Sequence, residues 1–140
     1  MVSKTLRVPF HLCDPARIMF FGSFFEIYHM FLEENLPQLG VEWKRWFMST
    51  TGAPVRGATV QYNHPLKFGT EYTAVLGVKK IGNSTVTLKF EVRDDDTPGA
   101  KCRAFTEVTH CFVDFTTRTK VDVPKEIKQA FSKHLIDEKS

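Results

Sequence analysis

The chain has 140 residues, of which 42% are hydrophobic and 25% charged, and these values predict one globular domain, residues 1–140, with its own core. The net charge is only +3 and its cations are scattered, which excludes the basic surface that nucleic-acid binding requires, and no apolar run approaches the ~18 residues of a membrane span. The three cysteines lack metal-ligand spacing and no secretory leader is recognisable, so we expect a soluble cytoplasmic protein with reduced thiols and no metal.

The first third of the chain predicts a strand and then a long helix. Residues 5–12 alternate loosely between apolar and polar, which is typical of a strand. Ser23 and Glu26 match a capping box, so we expect a helix to start there. Apolar residues follow on nearly every side of this helix until Pro37, which predicts that it is buried. Residues 41–48 predict a second, short helix.

The rest of the chain predicts four consecutive strands and a closing helix that starts at Pro124. The predicted strands cover residues 54–62, 72–81, 85–93 and 101–115. This order favours an α+β fold in which one antiparallel five-stranded sheet wraps around one long central helix. A single sheet covers such a helix only partly, so burial of its remaining surface predicts a homodimer.

Asp14 is the first candidate for a functional residue. It lies between the predicted first strand and the apolar approach to the helix, and Pro15 biases it towards an extended backbone. One interpretation is a loop residue that bonds to nearby backbone. The other is a catalytic carboxylate, because the unpaired amides of a helix N-terminus could serve it as an oxyanion hole.

Residues 10–24, which read Phe10-His11-Leu12-Cys13-Asp14-Pro15-Ala16-Arg17 and continue to Ser23-Phe24, resemble the signature of the 4-hydroxybenzoyl-CoA thioesterase family. Weaker similarities follow in order along the chain, at residues 52–55, Tyr62, Pro65, Phe68, Gly69 and residues 80–84. The resemblance implies a hotdog fold, homodimers that pair into a homotetramer, and active sites at the dimer interface. It also implies hydrolysis of an acyl-CoA or aroyl-CoA, with coenzyme A as part of the substrate and no further cofactor.

The same resemblance assigns catalytic roles. Asp14 matches the family's catalytic aspartate, which would act as a nucleophile on the thioester carbon or as a base for water. The backbone N–H of Phe21, or that of Gly22 if the helix starts later, would polarise the carbonyl oxygen. A backbone donor makes no demand on its own side chain, so phenylalanine is acceptable at position 21.

Four residues near this segment are expected to contact the substrate. Phe25, Tyr28 and His29 would line the acyl pocket, with His29 at the position where the 4-hydroxybenzoyl enzyme has an acid; alternatively, His29 is a core or interface histidine. Arg17 stands where the family usually has glycine, so a different local path is expected if that glycine has a positive φ. Its side chain would meet a phosphate of coenzyme A, or pair with Glu26 or Asp14.

Cations are also expected at the phosphates of coenzyme A. The candidates are Lys79, Lys80, Arg118 and Lys120, each of which is alternatively an ordinary surface charge. Two other functions stay open. One is a hydratase, for which the sequence lacks a suitably placed histidine, and the other is a binding module for acyl-CoA without turnover. An acyl-carrier protein could also replace coenzyme A.

Overall fold

The computed structural model describes residues 1–136, and within them five strands form one antiparallel sheet that packs against a long helix. The last four residues of the predicted domain lie outside the described range. The elements in chain order are β1 (Val2–Arg7), α1 (Phe24–Asn35), α2 (Trp43–Phe47), β2 (Thr51–Gly52), β3 (Val55–Tyr62), β4 (Glu71–Ile81), β5 (Thr85–Arg93), β6 (Cys102–Cys111), β7 (Val113–Asp114), β8 (Thr119–Lys120) and α3 (Lys125–Ser132). The large sheet has the order β1-β4-β5-β6-β3, and β2, β7 and β8 form a small second sheet. The predicted α+β arrangement is confirmed.

The core lies between the central strands and the inner face of α1. Alternate residues of β5 are completely buried, as expected for a strand with one face in the core. The ring of Phe90 on β5 lies 5.5 Å from Phe24, 6.0 Å from Tyr28 and 5.2 Å from Phe31, all on α1. These aromatic contacts fix the helix on the sheet and so determine where its N-terminus lies.

Only one face of α1 is buried, whereas the sequence predicted burial on nearly all sides. Phe25 and Met30 are 38% and 40% exposed, and His29 is also exposed on this outer face. The sheet curls around the inner face and reaches no further. A partly apolar helix face is therefore left uncovered in the single chain.

The predicted capping box is wrong, because the chain is already helical when it reaches Ser23. A 3-10 turn spans Phe21–Ser23, Ser23 has φ −77° and ψ −9°, and its side chain makes no capping hydrogen bond. An N-cap needs a non-helical backbone, which this residue no longer has. The helical geometry thus begins two residues earlier than the motif suggests.

The first strand and the last long strand differ most from the prediction, and the first already begins at Val2 instead of Thr5. The first strand ends at Arg7, because Pro9 has no N–H for the ladder, and residues 10–12 form a 3-10 turn instead. The last long strand ends at Cys111, after which the chain joins the small sheet through Val113–Asp114. Residues 85–93 are a strand as predicted, and the short helix within residues 41–48 is α2.

β3 is an edge strand that pairs with β6 on one side only. Seven of its eight residues are exposed and the eighth, Val60, is half-buried, and Val55 has 56% of its surface accessible. Its sequence contains one charged residue, Arg56, and no proline. Edge strands that do not pair with another chain usually carry more such residues.

Within residues 1–136 no helix is long and apolar enough to cross a membrane.

Candidate active site

Asp14 lies in a tight hairpin that leads directly into α1. Cys13 and Met19 form an antiparallel bridge, and the Asp14 N–H donates to the Ile18 carbonyl at 2.9 Å. The next pair outward is closed by the Phe20 N–H, which donates to the Leu12 carbonyl at 2.9 Å. Asp14 therefore follows the first strand of this hairpin, and the second strand leads directly to the start of the helix.

The carboxylate of Asp14 is partly exposed and is oriented by its own turn. Its Oδ1 accepts the Ala16 N–H at 2.8 Å, which is the bond of an Asx turn. Its Oδ2 accepts no hydrogen bond from residues 1–136. One oxygen therefore bonds to nearby backbone, and the catalytic interpretation stays a prediction that rests on the other oxygen.

The amides at the start of the helical segment are free to bind an oxygen. The N–H groups of Phe21 and Gly22 donate no hydrogen bond inside the described range, whereas the Ser23 N–H donates to the Phe20 carbonyl at 2.9 Å. The Phe21 carbonyl accepts the hydroxyl of Tyr62, which ties the helix start to the end of β3. Burial raises the pKa of Tyr62, so this hydroxyl remains a proton donor. Unpaired amides at a helix start carry partial positive charge.

Exposed aromatic rings surround the hairpin. Phe20 and Phe21 are 50% and 66% exposed, and their ring centroids lie 4.7 Å apart. The rings of Phe10 and Phe68, also exposed, meet edge to face at 5.2 Å. Phe25 lies one helical turn after Phe21 on the outer face of α1. An exposed apolar patch of this kind is typical of a binding surface.

Arg17 adopts a left-handed backbone with φ 63°, so the different local path expected for a residue other than glycine is not taken. Its N–H donates to the Asp14 carbonyl at 2.9 Å, and its carbonyl accepts the Phe68 N–H at 3.0 Å. Holding a non-glycine residue in this conformation costs about 1–2 kcal/mol. The Arg17 side chain is exposed, and neither Asp14 nor Glu26 pairs with it in the described structure.

Tyr28 is in the core, away from the surface around Asp14. It is 3% exposed, and its hydroxyl oxygen lies 2.7 Å from Nε2 of His110. Because Nδ1 of His110 lies 2.8 Å from the Ala53 carbonyl, this nitrogen carries the proton and Nε2 accepts the Tyr28 hydroxyl. Burial lowers the pKa of His110 and raises that of Tyr28. A role for Tyr28 in binding substrate stays a prediction.

His29 lies on the outer face of α1 with Phe25, so the structure brings these two predicted residues to one surface. Its Nδ1 is 3.9 Å from Glu33, and its ring contacts that of Phe47 at 5.9 Å. It is therefore not a core histidine in the single chain. The core histidine is instead His110, next to Cys111 at the end of β6. No group of at least three His, Cys, Asp or Glu residues that could hold a metal occurs in the described part of the chain.

The four cations predicted to contact coenzyme A lie at the opposite end of the sheet from Asp14. Register places Tyr62 of β3 level with Ala74 of β4, and Lys80 lies six residues further, roughly 20 Å along the strand. Lys79 pairs with Glu107 at 2.5 Å. Arg118 and Lys120 belong to the β7–β8 hairpin, which follows the same far end of β6. A single chain therefore does not bring these four residues to Asp14.

The fold and this site together define the class of protein. The chain belongs to the thioesterase-like superfamily, whose family model matches residues 8–131. Its strand order and central helix are those of the hotdog fold, and the chain is similar over 93% of its length to solved thioesterase structures.

Particular relatives are named for aromatic thioesters. The chain is 29% identical to a 1,4-dihydroxy-2-naphthoyl-CoA hydrolase of Nostoc punctiforme over 128 residues. This alignment covers 91% of this chain and 82% of the relative. It is similar in structure to Slr0204, a 1,4-dihydroxy-2-naphthoyl-CoA thioesterase from Synechocystis, with a TM-score of 0.79 at 16% identity over 93% of this chain and 94% of the other. The structure of the gentisyl-coenzyme A thioesterase BH1999 matches with a TM-score of 0.77 at 18% identity, over 93% of this chain and 99% of the other.

Proposed function

We propose that this protein hydrolyses the thioester of an acyl-CoA or aroyl-CoA to a free acid and coenzyme A. Two features of one hairpin carry the proposal. Oδ2 of Asp14 at the end of its first strand and the N–H groups of Phe21 and Gly22, where its second strand enters the helix, have no hydrogen-bond partner within residues 1–136. Thioester hydrolysis needs these two components, a carboxylate for the carbonyl carbon and donors for the carbonyl oxygen. Membership of the thioesterase-like superfamily supports it.

In the proposed reaction the carbonyl oxygen of the thioester accepts the Phe21 or Gly22 N–H, and the carbon faces Asp14. Asp14 follows one of two routes. Its Oδ2 attacks the carbon and expels the thiolate of coenzyme A, and water then hydrolyses the resulting anhydride. Alternatively, it removes a proton from a water molecule that attacks the same carbon. A single turnover in ¹⁸O-labelled water tests for direct attack, because water that cleaves the anhydride at the Asp14 carboxyl carbon leaves an unlabelled oxygen of Asp14 in the product acid.

The acyl group that we propose is aromatic. Exposed phenylalanine rings at positions 20, 21 and 25 offer flat apolar surface beside the catalytic carboxylate. The naphthoyl and gentisyl thioesters in the relatives' names are aromatic as well. The acid of the 4-hydroxybenzoyl enzyme is replaced here by His29, so a 4-hydroxybenzoyl group is one candidate among several. We further propose that coenzyme A enters as substrate, that no other cofactor takes part, and that the reaction occurs in the cytoplasm.

We propose that the active unit is a homodimer formed through β3, with a homotetramer as a further assembly. β3 offers an unpaired edge, and the outer face of α1 beside it is partly apolar. Two-fold pairing of antiparallel edges would bring the Tyr62 end of one β3 to the Val55 end of the other. The far end of the partner's sheet, including its Arg118 and Lys120, would then approach Asp14. This arrangement would add cations of the partner to this end of the sheet.

The proposal is tested by measuring free thiol released from benzoyl-, hydroxybenzoyl-, dihydroxynaphthoyl- and medium-chain acyl-CoA. We expect Asp14→Asn to lower kcat by at least about a hundredfold, because the amide is neither a nucleophile nor a base at neutral pH. Asp96→Asn, the same change in the exposed β5–β6 turn, is the control and should leave kcat unchanged.

Circular dichroism and thermal unfolding should show that both variants keep the fold. An unchanged rate in Asp14→Asn would remove Asp14 from the mechanism. Tight binding of these esters by the wild type without any thiol release would instead identify a non-catalytic acyl-CoA-binding module.

A further inference from the structure

Arg17 differs from most arginines of this chain in forming no ion pair with a carboxylate of residues 1–136. Four of the seven hold one at 2.5–2.9 Å, namely Arg7, Arg45, Arg93 and Arg103. The side chain of Arg17 is exposed and forms no ion pair or hydrogen bond within residues 1–136. A guanidinium carries a planar set of five donors, and here all of them are available to a ligand.

The backbone of Arg17 is fixed, so its side chain leaves the protein from a defined point. Its N–H and its carbonyl are both hydrogen-bonded, to Asp14 and Phe68. The bridge between Cys13 and Met19 closes the loop behind it. Glycine would hold this left-handed position at lower cost, so the turn itself does not require arginine. The side chain is what this residue adds.

Arg17 is also close to the proposed reaction. It is the fourth residue of the turn that begins at Asp14, so the two Cα atoms lie within about 7 Å. A second exposed cation, Lys67, belongs to the segment that bridges to Ile18 in the same loop. The exposed Phe10–Phe68 pair lies against this loop as well.

We propose that Arg17 binds a phosphate group of the coenzyme A portion of the substrate, with Lys67 beside it, and thereby selects coenzyme A thioesters over smaller ones. This inference rests on the proposed thioesterase function. The guanidinium fork matches two phosphate oxygens at once. In this proposal the pantetheine arm would run from the thioester at Asp14 to a phosphate at the exposed end of the Arg17 side chain. Arg17 thus supplies a phosphate contact from the same subunit as the catalytic carboxylate.

The test compares Arg17→Gly with the wild type on matched ligands. Glycine removes the charge and also relieves the left-handed backbone, so the variant is expected to fold at least as well as the wild type. Isothermal titration measures binding of coenzyme A and of pantetheine, which lacks every phosphate. Kinetics use one benzoyl thioester of coenzyme A and one of N-acetylcysteamine. Arg7→Ala is the control, since it removes an exposed arginine that already pairs with Glu71.

We expect Arg17→Gly to weaken binding of coenzyme A and to raise KM for its ester by about tenfold, with kcat unchanged. Binding of pantetheine and KM for the N-acetylcysteamine ester should stay the same, and Arg17→Lys should recover part of the loss. The Arg7→Ala control should match the wild type on both esters.

The proposal is overturned by an unchanged affinity for coenzyme A, or by equal losses for both esters. It is also overturned by a loss confined to esters whose acyl group carries a carboxylate, which would identify that carboxylate as the ligand. If coenzyme A binds through Arg17 but no ester is hydrolysed, the thioesterase function fails while the phosphate site remains.

Discussion

Replacing Tyr28 by phenylalanine removes a single hydroxyl from the centre of the core and isolates the role of its hydrogen bond. The hydroxyl donates to Nε2 of His110 at 2.7 Å, and both residues are almost completely buried. The ring contacts of Tyr28 with Phe90 would persist, because phenylalanine has the same ring. The substitution therefore changes polarity without opening a cavity of any size.

The expected loss follows from what remains in the core. Nε2 of His110 would become a buried acceptor without a partner, because Nδ1 is already occupied by the Ala53 carbonyl. Leaving such a group unsatisfied costs about 1–3 kcal/mol in the free energy of unfolding. For a chain of this length that corresponds to a decrease in Tm of roughly 3–10 °C.

Urea unfolding monitored by tryptophan fluorescence measures this loss, and Trp46, 5.4 Å from the His110 ring, reports on the site. A double-mutant cycle with His110→Leu should give a coupling energy of about 1 kcal/mol between the two side chains. A change below about 0.3 kcal/mol in Tyr28→Phe, or additive effects in the cycle, would show that this hydrogen bond does not stabilise the fold.

Two further predictions concern pH and assembly. Burial lowers the pKa of His110 in the folded protein below its unfolded value of about 6.5. The free energy of unfolding should therefore be constant above about pH 6.5 and fall as the pH drops below it. Urea unfolding midpoints between pH 5 and 8 measure this change in stability. The double variant Thr59→Lys/Gln61→Lys places like charges on the exposed edge of β3. It should shift the protein to monomers in sedimentation velocity. It should also reduce thioester hydrolysis at least tenfold, because the proposed active site needs the partner subunit.

Controls separate these effects from others. The pKa of His134 is also lowered, mainly by burial, so the share of His110 is obtained by difference with His110→Gln. A pH profile identical in that variant and the wild type would assign the effect elsewhere. For assembly, Lys101→Glu changes an exposed charge outside β3 and should leave the sedimentation coefficient unchanged. A Thr59→Lys/Gln61→Lys variant that stays dimeric would exclude β3 as the interface.

Local patterns in the sequence were sufficient for most of the sheet. The alternation at residues 85–93 identified β5 with both boundaries, because a strand with one buried face must alternate. The alternation at residues 5–12 predicts the first strand too late, because it runs through Pro9, which has no N–H for the ladder. The capping box failed for a different reason. Its residues were present, but tertiary contacts started the helical turn at Phe21, and Ser23 could no longer act as a cap.

The candidate site was only partly predictable. The segment around Asp14 has a recognisable order of residues, and the structure folds it into a hairpin that leads directly to Phe21 and Gly22. The burial of Tyr28 against His110 had no local signal, because it depends on contacts 82 residues apart. The sequence also did not predict how far four cations lie from Asp14, because this distance follows from strand register. These cations are Lys79, Lys80, Arg118 and Lys120.

The sequence alone determined the order of elements and the presence of a carboxylate before a long apolar helix, since these depend on residues that are neighbours along the chain. Tertiary structure alone decided which face of α1 is buried, which histidine lies in the core and which arginines pair with carboxylates. Each of these outcomes depends on side chains from distant strands meeting in space, and a one-dimensional pattern does not encode their separation.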